Sequence, residues 1–146
     1  MEILPYHNSM REQIIQIWEQ SVRATHLFLA EDDIVFFAAL VNEIDFENIP
    51  IFCAKEDATL LGFIGIVDKK IEMLFVLPAM MGKGIGKALL WFAIEHCHAY
   101  MVDVNEQNIH ARNFYEKNGF RVYDRSETDG SGKPYPILHM KRPKME

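Results

Sequence analysis

Residues 76–87, Val-Leu-Pro-Ala-Met-Met-Gly-Lys-Gly-Ile-Gly-Lys, carry a β-like apolar run through three alternate glycines into an apolar helix. Gly82, Gly84 and Gly86 let the backbone approach a ligand closely and take dihedrals that other residues avoid. A helix that starts among them leaves several N–H groups unpaired at the positive end of its dipole, an arrangement suited to an anionic diphosphate. Lys83 and Lys87 add two cations, and no acid occurs between Ala79 and Phe92 in a chain of formal net charge −6. The plain alternative is a glycine-rich strand-to-helix turn that holds no ligand.

Two familiar phosphate loops are excluded by spacing. A Walker loop requires Ser or Thr after its Lys, to reach magnesium, and Lys87 is followed by Ala88. A dinucleotide fingerprint requires Gly-x-Gly-x-x-Gly in the first βαβ unit; here the last Gly comes one residue early and the loop follows several strands. The remaining hexad, Met81-Gly82-Lys83-Gly84-Ile85-Gly86, resembles the Arg/Gln-x-x-Gly-x-Gly/Ala loop of the GNAT superfamily of N-acetyltransferases.

The resemblance extends along nearly the whole chain. Roughly twenty residues behind the loop come Asp103-Val-Asn-Glu-Gln-Asn108 and then Phe114-Tyr-Glu-Lys-Asn-Gly-Phe120, similar to the family's strand, Asn-capped helix and FYEKxGF segment. Asn108 is a sound helix N-cap, and Asn118-Gly119 a sound stop, because Gly takes the left-handed conformation that ends a helix. Met81 departs from the family pattern where Arg or Gln is usual, which removes one expected phosphate contact but no backbone amide.

Periodicity predicts a mixed α/β chain. Ile3-Leu4 reads as a strand; Ile14, Ile15, Ile17, Trp18 and Val22 as a helix; and Ile34–Ile44 as a second. Ile51–Ala54, Leu60–Val67 and Ile71–Leu77 read as strands joined by turns at Lys55-Glu56-Asp57 and Asp68-Lys69-Lys70. A helix over Gly84–Cys97, a strand over Tyr100–Val104, a helix over Asn108–Asn118, and strands over Phe120–Arg125 and Ile137–Met140 follow, with Thr128–Lys133 as a loop. The resemblance implies the GNAT fold, an α+β arrangement in which a mostly antiparallel sheet of six to seven strands is flanked by four helices. No repeat or long linker divides the chain, so residues 1–146 are expected to form one domain.

Composition bounds function more loosely. No apolar run approaches the roughly 18 residues of a membrane span, and no basic segment with an apolar core follows Met1, so a cytoplasmic protein without a membrane partner is expected. The acidic balance argues against nucleic acid as partner. Cys53 and Cys97 read as buried reduced thiols. His96-Cys97-His98 is compact, but helix neighbours two apart face different ways and nothing is spaced to complete a tetrahedral site, so no metal is expected.

The resemblance implies acetyl-CoA as co-substrate and a primary amine as acceptor, by direct attack in a ternary complex, from a monomer or homodimer. It places the pantetheine arm against the backbone of Leu74, Phe75 and Val76 and beside Asn108, with the pyrophosphate on Met81, Gly82, Lys83, Gly84, Ile85, Gly86 and Lys87. Tyr115, four residues after Ala111, matches the family's general acid; otherwise it is a core aromatic. Three residues are candidates for the general base: Glu72 on the strand before the loop, Asp103 at the next strand's end, and His26 in the connection between the first two helices, where the resemblance places the acceptor site. Each also has a bland role, as a solvated strand residue, an edge carboxylate or a partner of local backbone, and ordered water serves as base in many relatives. Tyr135, in Gly-Lys-Pro-Tyr-Pro, either shapes the acceptor pocket or is a surface aromatic on a stiff turn. The alternative function is a non-catalytic acyl-CoA-binding module on the same fold.

Overall fold

A computed structural model describes residues 1–144. Its elements are β1 (Glu2–Pro5), α1 (Arg11–Thr25), α2 (Glu31–Asn42), β2 (Ile51–Glu56), β3 (Thr59–Val67), β4 (Lys70–Val76), α3 (Ile85–Cys97), β5 (Met101–Asn105), α4 (Ile109–Lys117), β6 (Arg121–Ser126) and β7 (Ile137–Lys141). The seven strands form one sheet in the order β1-β2-β3-β4-β5-β7-β6. Every neighbouring pair is antiparallel except β4 and β5, which run parallel.

The hydrophobic pattern explains which helix covers which face. In α1, Ile14, Ile17, Trp18 and Val22 recur at helical spacing and are buried. With Ile34 of α2 they pack on Ile51, Cys53, Leu60 and Phe63 of the sheet. Leu89, Leu90, Ala93 and Ile94 of α3 cover the opposite face over Ile64, Ile66, Ile71, Val102 and Val104. Each fully buried Leu or Ile contributes about 1.5–3 kcal/mol relative to exposure, so both layers bind the sheet firmly. Alternation along β5 sends Val102 and Val104 into that second core and leaves Asp103 on the other face, beyond the cover of α1 and α2.

Several boundaries differ from the sequence expectation. The second helix starts at Glu31 and ends at Asn42, because its first turn is the acidic run Glu31-Asp32-Asp33. Those carboxylates complement the helix dipole, while a search for apolar residues passes over them. Its end is held from α1: Arg11 Nη2 donates to Asn42 O at 2.7 Å and Nη1 to Ile44 O, two residues beyond the helix, at 2.8 Å. The β3–β4 hairpin turns on Asp68 and Lys69 alone, both at positive φ (50° and 67°), the two-residue turn whose twist suits paired strands. The β2–β3 turn likewise starts at Asp57 (φ 55°), leaving Glu56 in its strand.

Candidate active site

The parallel pairing of β4 and β5 lasts only two rungs, Lys70 with Met101 and Ile71 with Val102. Beyond them the strands part. On its other side β4 is bulged: Ile71 pairs with Ile66 and Met73 with Gly65, leaving Glu72 with no partner opposite. An extra residue of this kind bends a strand and re-aims side chains next to it. The fork opens into a cleft of about 220 Å³ lined by residues 71–75 of β4 and 102–105 of β5, with Asn108, Ala111 and Tyr115 of α4 and with His26. Sequence reasoning scattered Glu72, Leu74, Phe75, Asp103, Asn108, Tyr115 and His26 over some ninety positions, and the fork brings them all to one cleft.

Tyr115 is 6% exposed, with its ring edge-on to Phe114 and Phe120 at 5.1 and 5.4 Å between centroids. Its hydroxyl has no hydrogen-bond partner among the described residues, and burial pushes the phenol above its ordinary range, so it holds its proton at neutral pH. Asn108 caps α4, its Oδ1 accepting from Ala111 N at 3.1 Å, which leaves the Nδ2 donors for another group. The helix ends through Gly119 (φ 93°), and Asn118 ties it to α3 by accepting from Trp91 Nε1 at 2.9 Å.

The two cleft carboxylates differ in their engagements. Asp103 is committed at both oxygens, Oδ2 to Lys70 Nζ at 2.6 Å and Oδ1 to His139 Nδ1 at 2.7 Å. Glu72, exposed at the bulge, makes no hydrogen bond among the described residues. His26 ends α1, its Nδ1 2.8 Å from Thr25 Oγ1. Thr25 already donates to Ser21 O at 2.7 Å, so it accepts from His26 Nδ1–H, and the Nε2 lone pair is left free. Burial lowers the His26 pKa to about 4, and the ring is neutral at pH 7.

The glycine loop lies beyond β4. Pro78–Met80 form a single 3₁₀ turn, which ends the strand one residue before the expected Leu77. Gly82 and Gly84 adopt left-handed φ (79° and 84°), and a Cβ at either would meet open space. Gly86 differs from expectation: it is an ordinary first-turn helical residue, 3.7 Å from Phe114 and Val76 at the position of an added Cβ, and needs no unusual dihedral. Ala88 is the first residue to make a helical bond, to Gly84 O at 3.0 Å; no N–H of residues 82–87 donates to a main-chain carbonyl among the described residues. Lys83 and Lys87 make no salt bridge there, and Met81 is 39% exposed, so the Met in place of Arg or Gln is not a packing residue.

Tyr135 is not a surface aromatic, nor does it line the cleft. It is 8% exposed; its hydroxyl donates to Asp33 Oδ2 and accepts from Ala30 N at 3.3 Å, and its ring meets Phe28 edge-on at 5.9 Å. With Lys133 Nζ on Asp33 Oδ1 at 2.8 Å, it pins the β6–β7 connection to the start of α2, beside His26. Cys53 is buried in the α1–α2 core, its thiol pushed up to about 12 by burial, and Cys97 is free at the end of α3. Two side chains that engage the cleft carboxylate Asp103 were missed in the sequence: Lys70 and His139. His139 lies between Leu138 and Met140 in the same alternation as Asp103, but only the non-local β5–β7 pairing makes them neighbours.

Comparison with known proteins agrees with this geometry. The family model described as Acetyltransferase (GNAT) domain matches residues 7–141. Peptidyl-lysine N-acetyltransferase YjaB of Salmonella typhimurium is 38% identical over 130 residues, which cover 88% of this chain and 89% of that protein. The solution structure of apo-form YjaB from Escherichia coli is similar with a TM-score of 0.87 at 33% identity, over 96% of this chain and 95% of that one. The PaiA N-acetyltransferase of Thermoplasma acidophilum, solved in complex with coenzyme A, is similar with a TM-score of 0.70 at 28% identity, over 97% and 99%. A forked sheet, an amide-rich glycine loop and a family match over nearly the whole length agree: the chain belongs to the GNAT acetyltransferases.

Proposed function

We propose that this acetyltransferase moves the acetyl group of acetyl-CoA directly to the side-chain amine of a lysine in a peptide or protein. The donor follows from the loop: consecutive free amides at 82–87, with Lys83 and Lys87, suit a pyrophosphate, and the β4 edge beyond Ile71 suits the amide groups of a pantetheine arm. The backbone of Leu74, Phe75 and Val76 supplies that edge, while Leu74 and Val76 keep their side chains in the core. Asn108 Nδ2 is free to meet the same arm. The lysine acceptor rests on the similarity to peptidyl-lysine N-acetyltransferase YjaB.

The thioester is already activated, so the protein has only to orient it, receive a neutral amine and satisfy the departing thiolate. The observation that carries the mechanism is Tyr115: a buried phenol lining the cleft, fully protonated, whose hydroxyl bonds to no group among the described residues. A phenol is a weaker acid than a thiol in water, but a thiolate leaving beside the same buried ring also gains proton affinity, because burial raises both. Glu72, unpaired at the bulge, is the freer carboxylate to take the ammonium proton; Asp103 orients and balances charge through Lys70 and His139. The His26 Nε2 lone pair is a further acceptor for the incoming amine.

Replacing Tyr115 by Phe keeps the ring and its packing. The expected result is unchanged acetyl-CoA affinity and melting temperature with kcat lowered by roughly 10² to 10⁴, the usual share of positioned proton transfer. Wild-type kcat in Tyr115→Phe removes the acid role.

A further inference from the structure

On the face of the sheet that α1 and α2 leave open, three side chains on adjacent strands are linked end to end. Ser126 Oγ of β6 lies 2.7 Å from His139 Nε2 of β7, and His139 Nδ1 lies 2.7 Å from Asp103 Oδ1 of β5. Chemistry fixes the direction of the chain. An ionised carboxylate only accepts, so in its neutral form His139 carries its proton on Nδ1 toward Asp103; the Nε2 lone pair of that form faces the Ser126 hydroxyl, which donates to it. A serine donating to an imidazole that is oriented by a carboxylate is the arrangement that activates a serine oxygen as a nucleophile, and it is recognised by roles and not by fold. Asp103 borders the cleft and His139 supports its carboxylate there, whereas Ser126 neither lines the cleft nor takes part in the acetyl transfer described above.

Further features suit acyl chemistry. β6 is the sheet's edge strand, so Ser126 is reached from solvent without opening the core. Lys70 on the second oxygen of Asp103 balances the carboxylate.

We propose that Ser126, His139 and Asp103 form a second acyl site, in which Ser126 is O-acylated by activated acyl esters. In the first step Ser126 Oγ bonds to the ester carbonyl carbon, its proton passes to His139 Nε2, and the carbon–oxygen bond to the leaving alcohol breaks as that alcohol takes the proton. In the second, water attacks the acyl-serine carbon, His139 accepts a water proton and returns it to Ser126 Oγ, and the carboxylic acid departs. The site belongs to this chain's own triad and does not depend on where the amine acceptor binds.

The probe is p-nitrophenyl acetate on the full chain without CoA, followed by release of nitrophenolate and by mass spectrometry of the modified protein. A burst of about one nitrophenolate per chain, with acetyl on Ser126, is expected. Ser126→Ala should abolish that burst and His139→Gln should slow it by at least about tenfold, with both variants retaining the wild-type melting temperature. Ser126→Ala should leave acetyl-CoA-dependent amine acetylation unchanged, which separates failure of this site from failure of the transferase reading. No burst, a burst that survives in Ser126→Ala, or acetyl found on lysines and not on Ser126 overturns the proposal.

Discussion

His26 shows how one residue serves both stability and the site. It closes α1, lines the cleft and donates to Thr25, so burial keeps it neutral with a pKa near 4 against 6.5 in an unfolded chain. The unfolded chain therefore binds a proton at this position that the folded chain refuses. Above pH 6.5 neither state is charged and no stability is lost; between pH 6.5 and about 4 the unfolded state is favoured progressively; below pH 4 the loss is complete at about 3 kcal/mol. Melting curves from pH 7.5 to 4.5 should fall less steeply for His26→Gln than for the wild type. Parallel curves would show that His26 is solvated enough to titrate normally. The sequence located this residue in the right connection, but not its neutrality. Phe28 packs against the His26 ring, and Tyr135, more than a hundred residues away in sequence, packs in turn on Phe28, a layer that no local pattern shows.

At the scale of elements, the glycine loop was legible because its chemistry is local. Positive φ at Gly82 and Gly84 and the run of free amides follow from residues adjacent in sequence. The added Cβ in Gly84→Ala would meet open space, so its cost comes from the left-handed backbone alone, about 1 kcal/mol. The variant should fold with a slightly lowered melting temperature and bind CoA more weakly, as calorimetry would measure; Gly86→Ala, at a helical position, should do neither to the same degree. Equal behaviour of the two variants would mean that the αL conformation is not what presents the amides. The strand order was less legible: the β4 bulge at Glu72 and the two-rung β4–β5 pairing come from register between strands and leave no mark in either strand alone. For the same reason Asp103 reads in sequence as a free carboxylate and in the fold as the centre of a Lys70–His139 pair. The bounds of α2 were missed because charged first-turn residues and an end held by Arg11 carry no apolar signal.

The molecule as a whole carries formal charge −6, yet the loop and first turn of α3 hold only cations and free amides. Among the described residues no helix is long and apolar enough to cross a membrane. The cleft is formed where two halves of the sheet part, with β1–β4 held by α1 and α2, β5–β7 joined by α4, and the core under α3 continuing across both. A ligand with its pantetheine arm in the fork and its pyrophosphate on the loop would join both halves and bind only the folded chain, so mass action must raise stability. At a hundred times its dissociation constant, acetyl-CoA should add about 2.7 kcal/mol, which for a chain of this size raises the melting temperature by roughly 5–10 °C. ATP or ADP, which carry the phosphates but nothing to fill the fork, should raise it much less at equal concentration. A shift with the nucleotides as large as that with acetyl-CoA would locate all the binding in the loop and leave the β4–β5 fork without a part in holding the donor.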